Sequence, residues 1–378
     1  MLQLQILTRF FNFIVERKSH YFAHFRTGMN IFLGIWLCPE PNPPRITTEP
    51  KILLVTYKFT IFYYTSLGLA IFNRRLYFCH HFISQYFTQM IFIHNLFLIL
   101  GRGIGQVMFQ NNALSGLLML IGIFLNSWQM GILAVCGNII STLTAHFSGY
   151  KYDDIKNGLY GFNGTLVGIA VGVFLQLSVG SLIMLIIASA LSTWIAYFFS
   201  QQRLLPGFTA PFILAVWGML GVCSWLIPDL LPVSDTVIDT TQNINYFQAF
   251  CLGIGQVMFQ GNTILSGLCF LIGILINSRK ASLYTILGAL LPIPLAILLE
   301  VDATDLNAGL MGYNGVLCAI ALGGTSWKSG VWAGCSVLLS TVLQILGMSL
   351  GITTLTAPFV ISVWIILMIQ KVIRTQNN

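Results

Sequence analysis

One stretch of the chain occurs twice, and this duplication restricts the possible fold more than any other feature. Residues 103–127 are GIGQVMFQNNALSGLLMLIGIFLNS, and residues 253–278 are GIGQVMFQGNTILSGLCFLIGILINS. With one residue inserted in the second copy, 19 of the 25 positions are identical. Two more elements recur in the same order: GLYGFNG (158–164) matches GLMGYNG (309–315), and TAPF occurs at 209–212 and 356–359. The chain therefore contains two copies of a unit of about 150 residues.

Composition indicates which solvent surrounds these two copies. Hydrophobic residues make up 56% of the chain and charged residues only 8%, whereas soluble domains carry about 25% charged residues. Because even large soluble domains leave much of their surface in water, the solvent must be lipid for most of this chain. Strands with open edges would leave backbone groups unpaired in lipid, so we expect an all-α integral membrane protein.

The repeat divides the chain into an N-terminal extension (1–75), a first transmembrane half (76–228) and a second (229–378). Each half contains five apolar runs that predict spanning helices. They lie near 83–101, 113–126, 130–148, 179–199 and 207–227, and near 246–260, 264–277, 281–299, 330–349 and 356–373. Several are shorter than a span needs, so we expect their ends to extend into the flanking residues. Segments 158–176 and 309–323 each begin with glycines around an aromatic residue and an asparagine, which is typical of a re-entrant helix. An odd number of spans would invert the second half relative to the first.

The sequence Gln-x-x-Phe lies at the centre of the longest duplicated element. Residues three apart share one face of a helix, so Gln106 and Phe109 should point toward one place, as should Gln256 and Phe259. An amide and an aromatic ring in this arrangement could line a path for a small polar solute. The alternative is that the phenylalanine packs in the helix bundle and the glutamine joins two helices. The presence of the same Gln-x-x-Phe sequence in both copies favours the interpretation that these side chains line a path.

The motifs GQVMFQ, GxxG[FY]N and TAPF, present twice and in this order, resemble the urea transporter family over roughly residues 101–373. This resemblance implies two inverted halves, a homotrimer with one pore in each protomer, and passive conduction of urea. It also implies a narrow selectivity filter lined by phenylalanines and oxygen acceptors. At the filter it places Phe162 with Leu166, the matching pair Tyr313 and Leu317, and the threonines Thr209 and Thr356 at the central constriction.

The assignments of the two threonines and of Tyr313 have a structural alternative or a departure from the family pattern. A threonine before Ala-Pro-Phe can turn its hydroxyl to a pore or to the carbonyl that the proline leaves free, and both roles stay open for Thr209 and Thr356. Tyr313 stands where the pattern has phenylalanine, so its hydroxyl could narrow or wet that mouth. Asn163 and Asn314 are better explained as hydrogen-bonding groups at helix starts than as substrate ligands.

The sequence thus predicts a multi-pass channel for urea in the cytoplasmic membrane, with Lys371 and Arg374 favouring a cytoplasmic C-terminus. Ionisable residues are scarce in the predicted spans, which favours passive conduction. We expect no cofactor and no nucleic-acid partner. The cluster at 79–81 (Cys-His-His) is not expected to bind a metal, because adjacent side chains cannot easily converge on one ion. The alternatives are a pore for ammonia or small amides, and an intramembrane enzyme, for which no nucleophile and base stand together in the spans.

Overall fold

A computed structural model describes residues 89–91, 93–202, 205–232 and 243–376 of the chain. These residues belong to one compact unit, Gln85–Asn378, and form helices and turns with no strand in the described ranges. The prediction of an all-α membrane protein is confirmed at that level. The extension 1–75 and the cluster at 79–81 lie outside the described residues.

The first half contains seven α-helices within the described ranges, and they follow the predicted runs to within a few residues, except at the end of the first. They are α1 (93–106), α2 (Ala113–Asn126), α3 (Trp128–Phe147), α4 (Tyr152–Lys156), α5 (Gly161–Phe174), α6 (Val179–Gln201) and α7 (Ala210–Leu226). The predicted re-entrant segment 158–176 corresponds to α5.

The second half continues with eight α-helices. They are α8 (Tyr246–Gly255), α9 (Ile264–Asn277), α10 (Arg279–Leu290), α11 (Pro292–Leu298), α12 (Ala303–Asn307), α13 (Gly312–Leu322), α14 (Trp327–Ser349) and α15 (Ala357–Gln376). The predicted span 281–299 is divided between α10 and α11, because Pro292 has no N–H to continue the helical hydrogen bonds. Re-entrant segment 309–323 corresponds to α13.

The helices α2 and α9 are short, and the prediction that their ends extend into the flanking residues is wrong. Each has 14 residues, which gives about 21 Å of rise against roughly 30 Å of hydrocarbon. Side-chain oxygens of Asn112 and Thr263 cap their N-termini. At the other end, Ser127 and Ser278 terminate α2 and α9 and also cap the next helix. Capping on both sides fixes these lengths.

Five helical segments are long and apolar enough to cross a membrane, which makes the protein multi-pass. They are Trp128–Phe147, Val179–Gln201, Arg279–Leu298, Trp327–Ser349 and Ala357–Gln376. Large apolar side chains cover their outer faces, as in α6, where Ile183, Ile186 and Ile187 are each more than half exposed. Their charged side chains lie near helix ends, at Arg279, Lys280, Lys328, Lys371 and Arg374.

Glycines bring α5 against the long helix α3. A Cβ atom at Gly164 would lie 2.2 Å from the carbonyl oxygen of Gly137, and one at Gly137 would lie 2.1 Å from that of Gly164. Only glycine allows the two backbones to approach this closely. This contact fixes the position of α5, which carries Asn163 and Leu166.

Replacing Gly164 with alanine should therefore destabilise the protein, whereas the same change at Gly218 should not. The new methyl group at 164 meets a backbone oxygen that cannot move aside, and overpacking of this kind costs about 1–3 kcal/mol or more. At Gly218 the space within 4 Å of the new Cβ is open. Thermal melting of the two purified variants in one detergent measures the difference. Equal melting temperatures would show that the α3–α5 contact is not tight.

Candidate functional site

The helix α1 ends in a turn that places Phe109 in the left-handed backbone region, with φ of 61°. The N–H of Phe109 donates to Gln106 O (3.0 Å), and the N–H of Gln110 donates to Gly105 O (2.9 Å). This is the Schellman pattern, in which glycine usually occupies the left-handed position. The prediction that Gln106 and Phe109 share a helix face is wrong, because α1 ends at Gln106.

The second copy of the motif closes α8 in the same way. Phe259 has φ of 60°, and the N–H of Gln260 donates to Gly255 O at 3.1 Å. A Cβ at Gly255 would lie 2.6 Å from the carbonyl oxygen of Gln260, so the turn requires glycine there. A left-handed conformation costs a residue with a side chain roughly 1–2 kcal/mol. Such strain persists where surrounding structure imposes it, and it clusters at functional sites.

The side chains of Gln106 and Gln256 are anchored by their amide nitrogens. Gln106 Nε2 donates to Asn157 O at 3.0 Å, and Gln256 Nε2 donates to Ala308 O at 2.9 Å. Each glutamine thus joins the end of one helix to the loop before α5 or α13. Within the described residues the two amide oxygens accept no hydrogen bond, so they remain available as acceptors.

Asn163 and Asn314 do bond to a helix start, but to the start of a neighbouring helix. Asn163 Oδ1 accepts the N–H of Phe212 at 3.2 Å, and Asn314 Oδ1 accepts the N–H of Phe359 at 3.1 Å. Both asparagines are fully buried. They satisfy backbone donors in the first turns of α7 and α15, which no water molecule in lipid could satisfy.

The hydroxyls of Thr209 and Thr356 meet at 2.7 Å, although the two residues lie 147 positions apart in the chain. Each threonine immediately precedes its helix, α7 or α15, and each is only 2% exposed. Neither hydroxyl bonds to a backbone carbonyl among the described residues, as the structural alternative would require. The two copies of the TAPF motif therefore place one polar pair at the boundary between the halves.

Two groups of phenylalanine rings adjoin this pair. The Phe109 cluster consists of Phe109, Phe208 and Phe359, with ring centroids 5.3–6.1 Å apart. The Phe259 cluster consists of Phe259, Phe174 and Phe212, in which Phe259 lies 5.9 and 6.2 Å from the other two rings.

Each cluster combines rings from both halves, because the TAPF phenylalanine of one half contacts the Gln-x-x-Phe phenylalanine of the other. Phe208, Phe212 and Phe359 all lie within three positions of a threonine of the pair. The two clusters are therefore attached to the same two turns that present the hydroxyls.

The remaining predicted site residues lie on α5 and α13. Phe162 is half-buried against the core, and Leu166 one turn later is fully buried. Among the described ring contacts, Phe162 joins neither cluster. Tyr313 and Leu317 are buried in α13. The expectation that the Tyr313 hydroxyl narrows or wets a mouth is wrong, because that hydroxyl lies 2.7 Å from Leu355 O inside the protein.

The loop carboxylates that precede the second re-entrant helix lie outside the spanning segments. Asp302 is exposed, while Asp305 is half-buried in α12. Burial, and to a lesser degree the neighbouring charge of Asp302, raise the pKa of the Asp305 carboxyl. The folded protein therefore binds the proton of Asp305 more tightly than the unfolded chain does, and this contribution to stability is lost as pH rises through the folded pKa.

The urea transporter family matches residues 97–371. The chain belongs to this family. Urea transporter 1 of Ovis aries is 28% identical over 293 aligned residues, which cover 71% of this chain and 75% of the sheep protein. Urea transporter 1 of Rattus norvegicus is 32% identical over 242 residues, covering 59% of this chain and 62% of the rat protein.

The resemblance inferred from the duplicated motifs is confirmed, and this urea transporter is not an enzyme. The sequence did not single out the rings of Phe174, Phe208, Phe212 and Phe359. Two of them belong to the repeated TAPF motif, which was a usable signal. Phe208 and Phe174 had none, since the second copy has leucine in place of Phe208.

Replacing Asn163 with alanine should lower the stability of this urea transporter by about 1–2 kcal/mol, because the N–H of Phe212 loses its acceptor. Asn314→Ala should cost about 1 kcal/mol more, because Asn314 Nδ2 also donates to Gln344 Oε1 at 3.1 Å. The melting temperatures of the two variants test whether Asn314→Ala is the less stable of the two. A smaller loss for Asn314→Ala would contradict this account.

Proposed function

We propose that this urea transporter conducts urea passively across the cytoplasmic membrane, along a narrow path that passes the Thr209–Thr356 pair. The observation that carries the proposal is a buried hydroxyl pair contributed by both halves, with an aromatic cluster attached to each of its turns. Urea is flat and neutral, with four N–H donors and one carbonyl. Flat apolar walls exclude hydrated ions, and oxygen acceptors replace the water that urea leaves behind.

The proposed filter contains the residues that the motifs predicted. They are Gln106, Phe109, Phe162, Leu166, Thr209, Gln256, Phe259, Tyr313, Leu317 and Thr356. Backbone strain supports the choice: among the five residues other than glycine with positive φ in the described chain, four are Phe109, Phe259, Phe208 and Leu355. All four belong to a turn of the proposed path, and backbone strain of this kind clusters at functional sites.

The same proposal includes two inverted repeats, residues 76–228 and 229–378, that enclose the path together. Reciprocal contacts between the halves support it. Trp217 Nε1 donates to Thr353 O at 2.8 Å, and Trp364 Nε1 donates to Pro206 O at 2.9 Å. Such exchanged pairs are expected when two copies are related by a two-fold axis. A homotrimer, with one path in each protomer, follows from the family resemblance.

Passive conduction predicts that urea does not accumulate against its gradient. The charged side chains of the five long segments lie near helix ends, whereas coupled carriers use ionisable groups within the membrane. Proteoliposomes with an imposed proton or sodium gradient should therefore reach equal urea concentrations inside and outside. Sustained accumulation of radiolabelled urea above the external concentration would contradict the passive mechanism.

Valine replacements at the threonine pair separate a role in conduction from a role in the scaffold. Thr209→Val leaves the Thr356 hydroxyl buried without its partner, which should destabilise the protein by about 1–3 kcal/mol. The double variant removes both hydroxyls and keeps the shape, so its stability should return close to that of the parent. Urea flux should behave differently: each lost acceptor at the barrier should slow it roughly five- to tenfold.

Stopped-flow swelling of proteoliposomes in urea, normalised to folded protein, measures the flux beside the melting temperature. The double variant is the decisive one, since it should melt like the parent and yet conduct urea most slowly. If it conducts urea as fast as the parent, the threonines belong to the scaffold and the path lies elsewhere. Methylurea, formamide and ammonia in the same liposomes define the solute range.

A further inference from the structure

A buried polar cluster stands beside Thr356 in the second half. We call it the Tyr313 clamp, and its side chains are those of Tyr313, Asn314, Gln344 and Thr354, none more than 9% exposed. Gln344 Oε1, on α14, accepts the Thr354 hydroxyl at 2.8 Å and Asn314 Nδ2 at 3.1 Å. The clamp thus joins α13, α14 and the turn before α15 through one amide oxygen.

The Tyr313 hydroxyl connects this cluster to the backbone of the turn. It lies 2.7 Å from Leu355 O and 3.0 Å from Gln344 Oε1, and a phenol has only one proton to donate. The shorter distance favours Leu355 O as its acceptor. Leu355 has φ of 49° and immediately precedes Thr356. The phenol therefore holds the strained residue that sets the direction of the Thr356 side chain.

Among the described residues of the first half, the aligned positions form no counterpart of this clamp. The helices α6 and α14 both have 23 residues and share Leu-Ser-Thr at 191–193 and 339–341, which aligns Ala196 with Gln344. Likewise Phe162 aligns with Tyr313, and Gly207 with Thr354. None of these three first-half side chains can hydrogen-bond.

The two equivalent asparagines, Asn163 and Asn314, therefore differ in their hydrogen bonds. Its Nδ2 is buried without a hydrogen-bond partner within the described chain, while the equivalent Nδ2 of Asn314 is bound by Gln344. Two turns with similar backbones, at Phe208 (φ 44°) and Leu355 (φ 49°), are therefore supported differently. Gly207 adds further freedom to the first turn, whereas Thr354 is tied to Gln344.

We infer that Tyr313, Gln344 and Thr354 are positioning residues that hold Thr356 rigidly, while Thr209 lies on a more adaptable turn. This inference rests on the proposed function, since it concerns the same path. A rigid wall cannot move aside for a larger solute, and rejection of an extra methyl group depends on how little the site can yield. The clamp should therefore set the discrimination between urea and methylurea.

The test compares the ratio of urea to methylurea permeability in proteoliposomes that contain full-length variants. Tyr313→Phe removes the hydroxyl and supplies the residue that the first half has, and Thr354→Val removes the bond to Gln344 while keeping the shape. Each should lower the ratio roughly three- to tenfold, the range for loss of one hydrogen bond. Thr354→Ser keeps the hydroxyl and should retain the parent ratio.

Tyr284→Phe is the matched control for the loss of stability alone. Tyr284 Oη donates to Gly324 O at 2.9 Å, so the control also removes a tyrosine bond to a backbone carbonyl in the second half. It should lower the melting temperature without changing the ratio. Backbone hydrogen exchange supplies a second measurement: the N–H of Ala357, bonded to Thr354 O at 3.0 Å, should exchange faster in Tyr313→Phe than in the parent or the control.

The outcomes separate the two proposals. A parent protein that conducts no urea above empty liposomes overturns the proposed function and the clamp with it. If the parent conducts urea, and Tyr313→Phe and Thr354→Val keep the parent ratio and the parent exchange at Ala357, the clamp is overturned while the proposed function stands. A lowered ratio in both variants, with an unchanged ratio in Tyr284→Phe and Thr354→Ser, supports the clamp.

Discussion

The structure depends on one constraint: a polar group that enters the bilayer must find its partner inside the protein. The helices α7 and α15 begin within the protein, so the N–H groups of their first turns have no water to bind. Asn163 and Asn314 supply the missing acceptors at Phe212 and Phe359. In this way α5 and α13 each supply one acceptor to a neighbouring helix start.

The same constraint explains why both copies keep strained turns and glycine contacts. Closing α1 and α8 with a phenylalanine in the left-handed region is unfavourable by itself. It satisfies the last carbonyls of each helix through the bonds to Gly105 and Gly255. Glycines at those positions, and at the α3–α5 contact, let backbones approach more closely than a Cβ atom would allow. Strain and close packing are thus joint consequences of bringing helix ends together within lipid.

Two halves with one ancestral pattern have become unequal in polar content. The turn before α15 is tied to the side chains of Tyr313 and Gln344, while Asn163, which bonds the first turn of α7, has an Nδ2 without a partner among the described residues. In our proposal, the path between these halves has one fixed wall and one adaptable wall. A small solute must be selected in the path and must also leave it easily. One fixed wall and one adaptable wall are compatible with both requirements.

The sequence by itself determined the membrane environment, the helical class, the duplication and the family, because composition and motif order depend on local residues alone. It also singled out Phe109, Phe259, Thr209 and Thr356 as candidates. Only the tertiary structure decided what these side chains contact. The helix-face argument for Gln106 and Phe109 failed, since the backbone enters the left-handed region at Phe109 and closes α1 before that residue. The pairing of Thr209 with Thr356, the mixed aromatic clusters and the burial of the Tyr313 hydroxyl all join residues distant in the chain. No local pattern encodes such contacts, because they form only when the helices pack.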